Sequence, residues 1–191
     1  MNFSKTPGTL LGLAVWFVSM LSCSQPSVVQ NTNRYFDFPA FFSFQAERLS
    51  KSDIQVEKKL FLNGNEETVN SAATSINWEK EFLLFSQCNL NKPALLDAYE
   101  IEVTNTGAQQ VMTYRLVNRN APVTWVKILH RHEPELTELE IKIRQSSLMN
   151  IQETELWYSP TGYAVRKKTT PRFWGKSSLL VVEARFIAQA P

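Results

Sequence analysis

The chain has 191 residues, 43% hydrophobic and 20% charged, a globular composition that excludes a disordered or collagen-like body. Twenty Lys and Arg against eighteen Asp and Glu leave a net charge of +2, too small a surplus for a nucleic-acid binder. Two cysteines cannot make a disulfide scaffold, and two histidines leave few routes to a metal site.

Lys5 is the only charge before Arg34. Leu10 to Leu21 (LLGLAVWFVSML) is an apolar run that as a helix reaches ~18 Å, short of the ~30 Å hydrocarbon core of a bilayer. A cationic start, an apolar core of this length and a small residue after it describe a secretory signal. One alternative is a plain signal peptide cut near Ser22 or Ser24. The other rests on Met20-Leu21-Ser22-Cys23, which resembles the lipobox of bacterial lipoproteins. That resemblance implies cleavage before Cys23 and acylation of its thiol and new amino group, palmitate included. Several acyl chains make a durable anchor, at ~0.8 kcal/mol per buried CH₂. Ser24 follows the cysteine and no acid precedes Asp37. In similar Gram-negative lipoproteins this implies passage to the outer membrane, here to its periplasmic face. The chain then divides into a signal peptide (1–22), a lipidated cysteine and polar tether (23–34), and a single periplasmic α+β domain (35–191).

In that domain the first element is a helix from Phe38 to Lys51, with Asp37 as N-cap and Pro39 in the first turn. Phe38, Phe41, Phe42, Gln45 and Leu49 share a face on which only Gln45 is polar. Ile54 to Leu62 alternates as a strand, Asn63-Gly64 marks a tight hairpin, and the polar return strand Glu66 to Ser75 suits a sheet edge. A second helix is predicted from Trp78 to about Cys88, capped by Asn77 and placing Trp78, Phe82 and Phe85 along one side. From Tyr99 onward strands dominate. Leu139, Ile141 and Ile143 alternate with charged residues, the signature of a sheet with one buried and one wet face. About nine strands without intervening helices imply antiparallel pairing. The expected fold is α+β: a curved antiparallel sheet, a meander or half-barrel, covered by two N-terminal helices.

The run Tyr35, Phe38, Phe41, Phe42, then Asn63-Gly64, Trp78, Phe82, Phe85 and Asn91-Lys92-Pro93-Ala94 resembles a family of uncharacterised Bacteroidota outer-membrane lipoproteins. That family carries no activity to transfer. The layout of anchor, sheet and covering helices is also similar to the lipoprotein-localisation folds, a likeness of architecture only.

Catalytic signatures are missing: the sequence has no nucleophile elbow, phosphate loop or dinucleotide fingerprint. His130 and His132, with Glu133 and Glu135, offer clustered ligands on one short loop, whereas zinc takes three or four from fixed positions; no metal and no cofactor is expected. Cys88 sits at a helix C-terminus, the wrong end for a thiolate nucleophile, and reads as a buried small residue. Arg166, Lys167, Lys168, Arg172 and Lys176, interleaved with Tyr163, Phe173 and Trp174, form an aromatic and basic stretch for phospholipid or lipopolysaccharide phosphates, or else a solvated hairpin.

The expected function is a non-enzymatic lipoprotein, bound to the membrane through Cys23, that holds an apolar ligand or lipid in a groove lined by Phe42, Trp78, Phe82 and Trp125. The alternatives are an accessory subunit that binds an envelope protein, and a hydrolase using His130 and His132.

Overall fold

The computed structural model describes residues 33–117, 120–131 and 136–188. The chain divides into two units, Met1–Thr32 and Asn33–Pro191. The first, with the apolar run and Cys23, lies outside the described residues.

Helix α1 spans Phe38–Ser50, and the predicted cap is in place: Asp37 Oδ1 accepts the Ala40 amide at 3.0 Å. Strands β1 (Ile54–Leu62) and β2 (Asn65–Ala72) form a hairpin around Asn63 and Gly64, whose φ values of 49° and 99° fit the two left-handed positions of a tight turn. Seven further strands follow: β3 (Tyr99–Thr106), β4 (Gln109–Leu116), β5 (Val123–Arg131), β6 (Leu136–Ser146), β7 (Asn150–Ser159), β8 (Gly162–Pro171) and β9 (Ser178–Ala188).

The predicted second helix is two short ones, α2 (Trp78–Glu81) and α3 (Leu83–Ser86), parted at Phe82 with φ −90° and ψ 6°. The Ser86 hydroxyl donates back to the Phe82 carbonyl at 3.1 Å, an i−4 bond of the kind that bends helices. The bend leaves Trp78, Phe82 and Phe85 all buried.

All nine strands join one open antiparallel sheet in the order β2-β1-β9-β8-β7-β6-β5-β4-β3. From β3 to β9 the chain is a simple meander. The first hairpin docks onto the last strand, with Val56 opposite Phe186. That leaves β2 and β3 as edges, and both carry acids (Glu66 and Glu67; Glu100 and Glu102) that discourage edge-to-edge pairing.

The pleat sorts the sheet into two faces. Val126 and Ile128 of β5, Leu139 and Ile141 of β6, Leu156 and Tyr158 of β7, Tyr163 and Val165 of β8 and Ala184 of β9 are buried on the face that α1, α2 and α3 cover. Phe42 of α1 reaches Phe85, Phe82 and Tyr158, with ring centroids 4.7, 5.1 and 5.2 Å away. Edge-to-face stacking such as that of Phe42 on Tyr158 adds ~0.5–1.5 kcal/mol per pair to the gain from burial. The opposite face carries charge: Glu155 lies between Lys142 on β6 and Arg166 on β8.

Candidate functional site

Phe42, Trp78 and Phe82 do come together, but as packing. Each is buried to within 2% of complete, and the Trp78 ring lies 5.4 Å from Phe82 and 5.7 Å from Phe186. The Trp78 indole N–H donates to the Ala73 carbonyl at 2.8 Å, which satisfies its one polar atom. Trp125 does not join them. A register shift between Val123 and Trp125 lets Val123 and Val126 both point to the helices and turns Trp125 to the opposite face. There the Lys142 ammonium sits over its ring, 5.1 Å from the centroid. The four aromatics therefore do not line one groove.

A different groove opens beside α2. It has a volume of about 430 Å³; Val56 and Leu60 of β1, Val69 of β2, Val182 of β9 and Ile76 form its apolar wall, and Glu67, Ser71 and Asn77 also line it. It lies on the helix side where the short α2 stops covering the outer strands. Polar groups meet at its floor. Lys58 Nζ donates to both carboxylate oxygens of Glu81, at 2.7 and 2.8 Å, and the Tyr163 hydroxyl donates a short bond to Glu81 Oε2. Burial, reinforced by the Glu81 carboxylate, pushes the Tyr163 phenol far above its ordinary range, so it stays a donor.

β1, α2 and β8 each supply one member of this cluster, which the sequence argument overlooked. A signal existed: strand alternation puts Lys58 between Val56 and Leu60 on the inward side, and an inward cation requires a partner. A second depression of about 590 Å³, lined by Pro39, Leu84, Gln87, Lys92, Ile143 and Gln152, lies next to α3 and has a more mixed wall.

The basic stretch is divided by the pleat. Arg166 and Lys168 project from β8 onto the helix-free face, where Arg166 lies 3.9 Å from Glu155, while Lys167 has the register of Tyr163 and Val165 on the helix side. Arg172, Phe173, Trp174 and Lys176 form the exposed β8–β9 loop.

His130 is buried on β5, and its Nδ1 has no hydrogen-bond partner among the described residues. His132, Glu133 and Glu135 lie outside the described residues, as does Cys23. No group of three His, Cys, Asp or Glu side chains suited to a metal ion occurs among the described residues. Cys88 is a free, buried thiol that donates to the Leu84 carbonyl at 3.2 Å, and burial pushes its pKa up to about 12. No helix among the described residues is long and apolar enough to cross a membrane.

Comparison with protein-family models, curated proteins and solved structures finds no match for this chain.

Proposed function

We propose that this chain is a non-enzymatic lipoprotein, held at the periplasmic face of the outer membrane by acylated Cys23, whose domain takes an apolar ligand or lipid chain in the groove beside α2. The sheet would curve around its helices as a half-barrel, leaving this groove at the open side. The single observation that carries the reading is the groove itself. It has an aliphatic wall of Val56, Leu60, Val69, Ile76 and Val182 beside the fixed cluster of Lys58, Glu81 and Tyr163, with Glu67, Ser71 and Asn77 as further polar lining, and lies within the size range of small-ligand sites. Lys58, Glu81 and Tyr163 already satisfy one another, so they orient a polar head rather than exchange protons with it.

Native mass spectrometry of the full chain purified from bacterial membranes tests this. A stoichiometric lipid adduct is expected, and Val69→Asp, at an exposed position, removes it. A bare protein mass for the parent chain, or an adduct indifferent to Val69→Asp, contradicts the reading.

A second reading is favoured by β3. Ile101 and Val103 point to the helix side of this edge strand and remain 42% and 49% exposed, beyond the reach of the helices. An envelope protein docking on this helix-side face, rather than along the acid-bearing edge, would cover them. A crosslinker placed at Val103 distinguishes the two: capture of one defined protein supports the accessory-subunit reading, and recovery of monomer alone argues against it.

A further inference from the structure

The end of the sheet where β7 and β9 begin carries a feature separate from the groove. Two hairpin tips lie side by side there. The β6–β7 tip presents Leu148 and Met149, 87% and 69% exposed. The β8–β9 loop presents Phe173 and Trp174, 70% and 91% exposed, with their rings 6.4 Å apart. The tips are tied together: the Arg172 amide donates to the Met149 carbonyl at 2.9 Å, and the Arg172 guanidinium donates to the Ser146 hydroxyl at 2.6 Å. Gly175, at φ 111°, supplies the left-handed residue that bends the loop. Four large apolar side chains thus project from a braced support and not from a frayed loop.

Their charge setting selects a partner. Arg172 and Lys176 flank the aromatics, and no acid occurs in the chain between Glu155 and Glu183 or in the β6–β7 tip. Aromatic and aliphatic side chains beside the two cations Arg172 and Lys176 match the boundary between acyl chains and anionic headgroups.

The entry of the chain agrees. Tyr35 packs edge-on against Tyr99, the first residue of β3, and its amide donates to Asn91 Oδ1 at 2.9 Å. Strands β3, β5, β7 and β9 all run the same way, so Tyr35 lies at the end of the sheet that bears the tips. We infer that Leu148, Met149, Phe173 and Trp174, with Arg172 and Lys176, form a membrane-contact tip that inserts into an anionic lipid bilayer. This inference does not depend on the groove being occupied.

The test mixes the full chain with vesicles of phosphatidylglycerol and phosphatidylcholine whose acyl chains carry bromine, a contact quencher of tryptophan. The emission lost in Trp174→Phe isolates Trp174 from the other indoles. That component should lose most of its intensity to bromine and be shielded from aqueous iodide. Leu148→Ser with Met149→Ser should reduce the bromine quenching, although it leaves Trp174 in place. Lys176→Gln should weaken the contact roughly fivefold in phosphatidylglycerol vesicles and leave pure phosphatidylcholine unaffected. All these positions are exposed, and circular dichroism of each variant checks that the fold is kept. Iodide quenching of Trp174 with no response to bromine would overturn the inference, and is the outcome if the tip instead serves a protein partner.

Discussion

The hydroxyl of Tyr158 on β7 donates to Gln45 Oε1 on α1 at 3.0 Å, a buried bond between residues 113 apart in sequence. It explains the one polar residue on the apolar face of α1. Gln45 and Tyr158 hold the helix at one register on the sheet while Phe41 and Phe42 pack edge-on against the Tyr158 ring, at 5.6 and 5.2 Å.

Removing one partner strands the other. Gln45→Leu leaves the buried Tyr158 hydroxyl without its acceptor and is expected to cost ~1–3 kcal/mol in denaturant unfolding. Tyr158→Phe leaves Gln45 stranded in the same way. The double variant Gln45→Leu with Tyr158→Phe should cost less than the sum of the two, because the pair then leaves together. Strict additivity in this cycle would contradict a direct bond.

Two glycines separate close approach from turn strain. A Cβ on Gly162 would sit 2.2 Å from the Ala184 carbonyl oxygen, where β8 meets β9. The obstacle is backbone and cannot move aside, so Gly162→Ala is expected to cost roughly 3 kcal/mol, the upper end for overpacking. Gly64, at φ 99°, faces open space, and Gly64→Ala should cost about 1–2 kcal/mol from the left-handed backbone alone. Thermal unfolding of both variants checks the order, and a larger loss at Gly64 would reverse the assignment.

Alkaline pH should unfold the domain through its buried acids. Burial pushes Tyr99 up from 10.0 to about 12 and Cys88 from 9.0 to about 12, and it raises Tyr114, Tyr158 and Tyr163 as well. A raised pKa means that the folded state holds its proton more tightly than the unfolded state does. The associated stability is therefore complete below about pH 9 and is lost as pH climbs toward 12, with Cys88 entering first and Tyr99 from pH 10. Denaturant unfolding at stepped pH should show a plateau and then a fall. In Tyr99→Phe, which also loses the 2.8 Å bond to the Val123 carbonyl, the gap to the parent should be constant below pH 9 and narrow above pH 10. A gap that widens with pH would contradict this account.

Local chemistry made much of the fold legible. Asp37 and Asn77 cap as their residue types dictate, Asn63-Gly64 turns the first hairpin, and the alternation of Leu139, Ile141 and Ile143 marks the sheet's two faces. What escaped depends on contacts or irregularities that no local pattern encodes. The pairing of Val56 with Phe186 joins strands 130 residues apart. The register shift after Val123 reverses the side of Trp125, since period-two counting carries a residue to the wrong face once a bulge intervenes. The cluster of Lys58, Glu81 and Tyr163 needs three separate elements folded together before its members meet. Leu148 and Met149 gain meaning only when the β6–β7 tip lies beside Phe173 and Trp174.

The proposed function requires that Cys23 carry an acyl anchor. Feeding labelled palmitate to cells that express the full chain tests this directly. The expected result is label in the protein, recovery with outer-membrane fractions, and loss of both in Cys23→Ser. An unlabelled protein released as a free soluble species would contradict the account.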